Sequence, residues 1–564
     1  MNEPDHDNTY AYRSYNRLQN YLRMTIRMNM DILYRLFLTQ IATVSILFLA
    51  ALTSFAAPWE LSFATFDRIW PFTLLIYLLH PVLIVMFRRR SRREFRERTR
   101  RGTTLAGETE LARQLPAPGR FPLSRRLMLP ESYETQHVFC AGASGTGKTV
   151  FLSRAIATAR PIGVKAIIHG GKDGELAARF FNPRTDLIFN PFDERSLAWN
   201  IFDCIRDDSD FDAVAASIVP KHATREQFFT NAARDLLSGI LRYCAEAGER
   251  SNAAVWQCLQ RPASELYKLL VSIGSEAAAY IESATPQTQS CISTLMQHAR
   301  IFRYLTGGDS RPQFSLHDWV ADEEKQGFIF LTTRTKQRES LKGLMALFIN
   351  SLSNEILSLR DDPGRRIMLF IDEFGGLQPM PAVKELLTLG RSKGCSFWIG
   401  IQEKAQLDES YGDNVASTII NQCSTYAIFR MNDNRSAEYF SLLFGERESQ
   451  SMESSYSSAA RDRRETETYR NATRTSRLVL PAEIQHLPDL HYYLKIHNHP
   501  VTRAQSVYRD YPQVAPAFVA NPAFRLAKKP PAGGNKAVPD KAEKKAEQTP
   551  PEKGGRFMID DFDF

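Results

Sequence analysis

One octapeptide limits what this chain can fold into. Gly142, Ala143, Ser144, Gly145, Thr146, Gly147, Lys148 and Thr149 follow an apolar run at 137–141 and precede an apolar helical stretch at 150–159. A glycine loop closed by Gly-Lys-Thr between a strand and a helix is a phosphate-binding loop. Its glycines let successive backbone N–H groups face inward around phosphate, and the N-terminus of the helix adds its positive end. Lys148 is expected to reach the terminal phosphates, and the Thr149 hydroxyl to hold Mg²⁺. ATP and Mg²⁺ are therefore the expected cofactors, and the fold class is α/β.

Such a loop needs an acidic partner on a second buried strand, because the metal must be held and a water aligned for in-line attack. The run at 365–371 ends in Asp372 and Glu373. Asp372 suits the Mg²⁺ shell, and Glu373 suits a base or water positioner. A further buried run, 397–401, carries Gln402 at its C-terminal end, the edge of an open α/β sheet at which ligands bind. An amide there can sense the terminal phosphate. Arg391 stands between a predicted helix at 381–390 and that strand, where a neighbouring subunit's nucleotide could meet it; a solvent-facing arginine is the alternative.

The chain, at 564 residues, is too long for one hydrophobic core. Residues 37–57 and 69–87 each lack charge and match the roughly 20 residues that cross a bilayer. Trp59 and Trp70 stand at the ends of the loop between them. Arg13, Arg17, Arg23, Arg27 and Arg35 precede the first span, and an arginine run follows the second. By the positive-inside rule, both termini face the cytoplasm. A cleaved leader is the alternative, but it would carry an unusually long polar start and would send an ATP site to a compartment without ATP.

The net charge of +8 comes mostly from that run. Nine arginines against two glutamates lie at 88–101, so the rest of the chain is almost neutral. The run reads as a topology signal touching anionic lipid rather than as a DNA surface. Seven cysteines lack Cys-x-x-Cys spacing, which argues against a zinc site or disulfide framework and for a reducing compartment.

Strand signals stop near Phe202 and resume at 327–331, with helical periodicity between them. Phe228, Ala232, Leu236, Leu237, Ile240 and Leu241 form one such series; Leu266, Leu269, Leu270, Ile281, Ile292, Leu295 and Ile301 recur with wider gaps. All read as core. The polar stretch 285–288 reads as a loop that could meet DNA. Residues 447–476, rich in Ser, Arg and Glu, read as a flexible surface loop. The Lys-, Pro- and Ala-rich tail reads as a tether ending at 556–564 in alternating acidic and aromatic residues, a short docking peptide.

Together these residues resemble the type IV coupling proteins of conjugative plasmids, the TraD/TraG family. Besides the two nucleotide motifs, the resemblance rests on 190–200, on 389–402, on Gln406 and Leu407 with Tyr411 and Gly412, and on 480–484 with Leu487 and Pro488. It implies a RecA-like P-loop nucleotide-binding domain with an inserted all-α domain, behind an N-terminal two-helix transmembrane hairpin. It also implies a ring homohexamer that pumps single-stranded DNA with its attached relaxase into a type IV secretion channel, at the bacterial inner membrane. Arg391 then corresponds to a finger acting on the adjacent subunit's ATP, and the tail to a ligand of a relaxosome accessory protein.

The expected division is a cytoplasmic N-terminus at 1–36, the membrane hairpin at 37–87, a basic juxtamembrane segment at 88–110, the nucleotide domain at 111–204 and 323–515, the insertion at 205–322 and the tail at 516–564. One departure stands out: Gly170 occupies a place where relatives usually carry an acidic residue, and Lys172 or Asp173 could compensate. Two other readings share the motifs, a non-enzymatic docking receptor that binds ATP only to assemble and an FtsK-type double-stranded DNA pump. The pump would show more spans and a winged-helix tail.

Overall fold

The computed structural model describes residues 98–524 apart from 171, 221–226, 307–312, 325 and 459–464, and Ser45 before them. The expected N-terminus at 1–36, the first expected span apart from Ser45, the second expected span and the docking end of the tail lie outside the described residues. Among the described residues no helix is long and apolar enough to cross a membrane. The chain divides into a larger unit, residues 107–436 with 484–564, and a smaller one, residues 1–106 with 437–483.

In the larger unit, short apolar runs become the strands of one sheet. They are β1 (Val138–Ala141), β2 (Lys165–His169), β3 (Leu187–Phe189), β4 (Phe328–Leu331) and β5 (Ile367–Ile371). Then follow β6 (Cys395–Ile401), β7 (Thr425–Phe429), β8 (His491–Ile496) and β9 (Val501–Gln505). Their order is β9-β8-β7-β1-β6-β5-β2-β4-β3. From β7 to β3 neighbours run parallel, and β8 and β9 add an antiparallel flank. β1, β2 and β4 to β7 are buried at every position, as parallel strands covered on both faces must be. This order puts β6 between β1 and β5. Whatever leaves β6 therefore stands between the glycine loop after β1 and the carboxylates after β5.

The sheet packs around Trp398 of β6, whose ring centre lies 5.7 Å from those of Phe121 and Phe370 and 5.8 Å from that of Phe151. Phe151 comes from α1 (Lys148–Ile162), the helix that the glycine loop starts. His137, just before β1, ties two other elements. Its Nε2 lies 2.9 Å from the Leu387 carbonyl and its Nδ1 accepts from the Phe397 N–H at 3.1 Å, so the neutral ring carries its proton on Nε2. Burial pushes its pKa down to about 4.

Between β3 and β4 lie α2 (Asp208–Ile218), α3 (Gln227–Glu246), α4 (Asn252–Leu259), α5 (Ala263–Ser272) and α6 (Pro286–Ala299), together with a short strand, Gln313–Phe314, that pairs with Ala198–Trp199. The periodic residues of α3 are buried except Phe228, which is 47% exposed at the start of the helix. Residues 285–288 differ from the expected loop: Thr285 caps α6, its Oγ1 accepting from the Thr288 N–H at 3.2 Å, with Pro286 at the first helical position. All seven cysteines are free thiols, and Cys244 and Cys258 lie with their sulfurs 3.8 Å apart. After β4 come α7 (Arg338–Ser358), α8 (Pro381–Leu389) and α9 (Lys404–Tyr411).

The segment at 190–200 is a structural knot. Asp193, fully buried, accepts from Arg195 Nε at 2.9 Å and Nη2 at 2.8 Å, and Asn190 Oδ1 accepts from the Phe192 N–H at 3.0 Å. The C-terminal stretch lies upon it. Glu194 N–H donates to Val519 at 2.8 Å, Asn521 N–H donates to Phe192 at 2.8 Å, and Arg195 Nη1 donates to Pro516 at 2.9 Å. The expected tail from 516 thus begins as an attached strap through 524, because its backbone groups find partners in this knot.

In the smaller unit, strands Glu446–Ser458 and Glu465–Arg477 pair antiparallel along their whole length, with Arg98–Gly102 on the other side of the first. This corrects the expectation of a flexible loop at 447–476. It also places the end of the arginine run, from Arg98, in a strand. Thr, Ser and Tyr suit a pleated ribbon, and a strand can be held by its neighbours' hydrogen bonds without an apolar face.

Candidate nucleotide site

The glycine loop hangs from the ends of both strands that flank β1. Gly142 N–H donates to Ile401 at the end of β6 (3.3 Å), and Ala143 N–H donates to Arg430 just after β7 (2.8 Å). Gly145 and Gly147 take left-handed backbone, φ +81° and +114°, and a Cβ at Gly147 would come within 2.8 Å of Leu490 Cδ2. Ser144 is exposed on the loop, while Thr146 is buried and donates its hydroxyl to Ala143 O at 2.8 Å. Lys148 is buried, and its ammonium donates to the carbonyls of Gly142 and Ala143, the latter at 3.0 Å. Burial lowers its pKa, against the pull of Asp372. The ammonium is thus folded onto its own loop and ready to exchange carbonyls for phosphate oxygens.

Thr149 opens α1 and donates its hydroxyl to Asp372 Oδ2 at 2.8 Å. The other oxygen, Asp372 Oδ1, is buried without a partner. Burial raises the pKa of this carboxyl, opposed by the Thr149 hydrogen bond and by Lys148. An orphaned carboxylate oxygen beside a hydroxyl is a donor set for a hard divalent cation. Among the described residues no cluster of three or more His, Cys, Asp or Glu could hold a metal.

Glu373 and Gln402 come together as the strand order dictates, with Gln402 Nε2 donating to Glu373 Oε1 at 3.3 Å. Two further neighbours were not foreseen. Arg338, at the start of α7, pairs with Glu373 at 2.8 Å. His169, ending β2, is buried with its Nδ1 unpartnered, and burial with the nearby Arg338 charge pushes its pKa down to about 4. The signal for Arg338 was the basic cluster Arg334, Lys336, Arg338 and Lys342 ahead of an apolar helix; for His169 sequence offered none.

Gly170 is explained by space. Its φ is +128°, and a Cβ there would lie 2.5 Å from Asp372 Cβ, so no acidic side chain fits. Asp173 does not take its place at the site: its Oδ1 accepts from Thr335 N–H at 2.7 Å. Arg391 is not brought to the site within one chain. It is exposed in the turn before β6, whereas Gln402 follows the other end of that strand. Seven extended residues separate the two by about 20 Å. Among the described residues Arg391 has no ion-pair partner.

A parallel sheet with a phosphate loop after its central strand and two carboxylates across one intervening strand defines a RecA-like nucleotide-binding protein. The family model for the type IV secretion-system coupling protein DNA-binding domain matches residues 125–505, so the chain belongs to the type IV coupling proteins. It is similar to the coupling protein TraD of Escherichia coli strain K12, at 27% identity over 418 residues. That match covers 73% of this chain and 58% of TraD. Among solved structures it resembles the bacterial conjugative coupling protein TrwBdeltaN70, with TM-score 0.66 and 26% identity over 75% of this chain and 97% of that one. It resembles equally the plasmid coupling protein TrwB in complex with ADP and Mg²⁺, with TM-score 0.66 and 26% identity over 76% and 98% of the two chains.

Proposed function

We propose that this chain is an ATP hydrolase that couples the relaxosome to a type IV secretion channel and drives single-stranded DNA with its relaxase during conjugation. The observation that carries the catalytic reading is the Thr149–Asp372 pair with its orphaned oxygen, next to Lys148 and across from Glu373 and Gln402. The TrwB structure holding ADP and Mg²⁺ supports ATP and Mg²⁺ as the cofactors.

Thr149 and Asp372 would hold Mg²⁺, whose charge screens the phosphate oxygens when bound. Lys148 moves from the carbonyls of Gly142 and Ala143 to the terminal phosphates. The backbone N–H groups of 144–149 cradle the phosphates at the start of α1. Glu373 aligns a water and accepts its proton, while Gln402 holds that carboxylate in place. Arg391, distant from its own loop, serves a neighbour's nucleotide in a homohexameric ring.

The uncharged stretches 37–57 and 69–87 anchor the chain in the bacterial inner membrane with both termini cytoplasmic. The acidic and aromatic end at 556–564 docks a relaxosome accessory protein. Lys148→Ala should abolish ATP turnover and DNA transfer with membrane insertion intact, and undiminished transfer would overturn the motor. Glu373→Gln should bind ATP and fail to hydrolyse it; normal turnover would move the base elsewhere. Turnover indifferent to single-stranded DNA would favour a docking receptor.

A further inference from the structure

The carboxylate assigned to align water is not free to do so. Arg338 faces both its oxygens, Nη2 at 2.8 Å from Oε2 and Nη1 at 3.2 Å from Oε1, and Gln402 takes a third position at 3.3 Å. Three of the carboxylate's roughly four acceptor directions are thus taken, and the positive charge opposes uptake of a proton. This is the geometry of a base held at rest.

The holding residue can be reached from outside. The Arg338 side chain is 45% exposed against 22% for Glu373. It is the first residue of α7, and the turn 334–342, made of the short segment leading into that helix and its first helical turn, also carries Lys336 and Lys342, neither with an ion-pair partner among the described residues. The turn itself is fixed: Thr335 is bonded to Asp173, and Arg334 lies 4.9 Å over the Phe518 ring. The backbone therefore stays in place while the Arg338 side chain can leave. Beside the pair is a cavity of about 30 Å³ lined by His169, Gly170, Thr333 and Lys342. That is room for about one water. The carboxylate can thus shift without unpacking its neighbours.

We propose that Arg338 is a brake on Glu373, and that the phosphate backbone of a nucleic acid on the turn 334–342 competes for the guanidinium and releases it. The inference rests on Glu373 as the residue that aligns water. Phosphate suits the exchange because arginine pairs with it as bidentately as with a carboxylate, and Lys336 and Lys342 add charge at the same turn. A part-exposed pair biases an equilibrium by up to about fivefold, small enough for a bound strand to reverse. Arg338 is in this sense a positioning residue, acting through Glu373.

The test is ATP turnover by the full chain in detergent, over a range of Mg²⁺-ATP concentrations up to saturation, with and without a single-stranded oligonucleotide. Arg338→Ala should raise kcat without DNA by up to about fivefold, leave KM unchanged and abolish stimulation by DNA. Arg338→Lys keeps the charge but cannot face both oxygens, so it should give an intermediate basal rate that DNA still raises. A lowered basal kcat in Arg338→Ala at unchanged melting temperature would overturn the brake, since Arg338 would then be orienting Glu373 productively. So would a raised basal rate that DNA stimulates as in the parent. Should Arg338→Ala fail to fold, Arg338→Gln carries the same expectations. Glu373→Gln separates the two levels: normal turnover there defeats the base assignment itself, whereas a dead Glu373→Gln beside a slowed Arg338→Ala defeats only the brake.

Discussion

The strands of the larger sheet and the long hairpin of the smaller unit are held by different forces. β1, β2 and β5 are buried at every position, so each is fixed by apolar packing and its last residue is delivered to a defined place. The strands Glu446–Ser458 and Glu465–Arg477 are rich in Ser, Thr, Glu and Arg and are held by ladder bonds to one another. A chemical site needs the first kind of support, because a carboxylate must stay within fractions of an ångström of its metal.

Substitutions can sharpen or break this contrast. The largest effect should come from Gly170→Asp, which forces a carboxylate into a place where no Cβ fits. Pushing Asp372 away from Thr149 should cost about a hundredfold in turnover, since a displacement near 1 Å is worth that much. Turnover within twofold of the parent would mean that the strand ends tolerate movement. Trp398→Ala empties the centre of the sheet and should destabilise the larger unit by about 3–5 kcal/mol, read by denaturant unfolding.

Acid should act next. His137 and His169 are buried neutral, with pKa values near 4 against 6.5 when unfolded. The unfolded state therefore binds more protons between these values, and stability present above about 6.5 is lost as pH falls toward 4, by up to about 3 kcal/mol for each ring. A melting temperature flat from pH 7 to 4.5 would contradict this. The smallest effect should be that of Thr475→Pro in the hairpin, which removes at most one ladder bond, about 1 kcal/mol. A loss as large as that of Trp398→Ala would erase the distinction between the two regions.

Much of the candidate nucleotide site was legible in the linear chain because its physics is local. Gly145 and Gly147 supply left-handed backbone within one turn, Lys148 and Thr149 open the helix that follows, and Asp372 and Glu373 end an apolar run. The hairpin was not legible, since ladder bonds to a partner strand, not apolar alternation, make those residues extended. Nor was the strap at 516–524, a short apolar stretch with two prolines and no helix or strand period, whose place is set only when the knot at 190–195 supplies its hydrogen-bond partners.

By itself the sequence determined the phosphate loop, the acidic pair and the membership of one family, because glycine conformation and apolar burial act over a few residues. Only the tertiary structure decided that β6 stands between β1 and β5, that Gly170 leaves no room for a carboxylate, and that Arg338 closes on Glu373. Those are meetings of residues far apart along the chain, and strand order and packing, rather than local preference, choose which side chains meet.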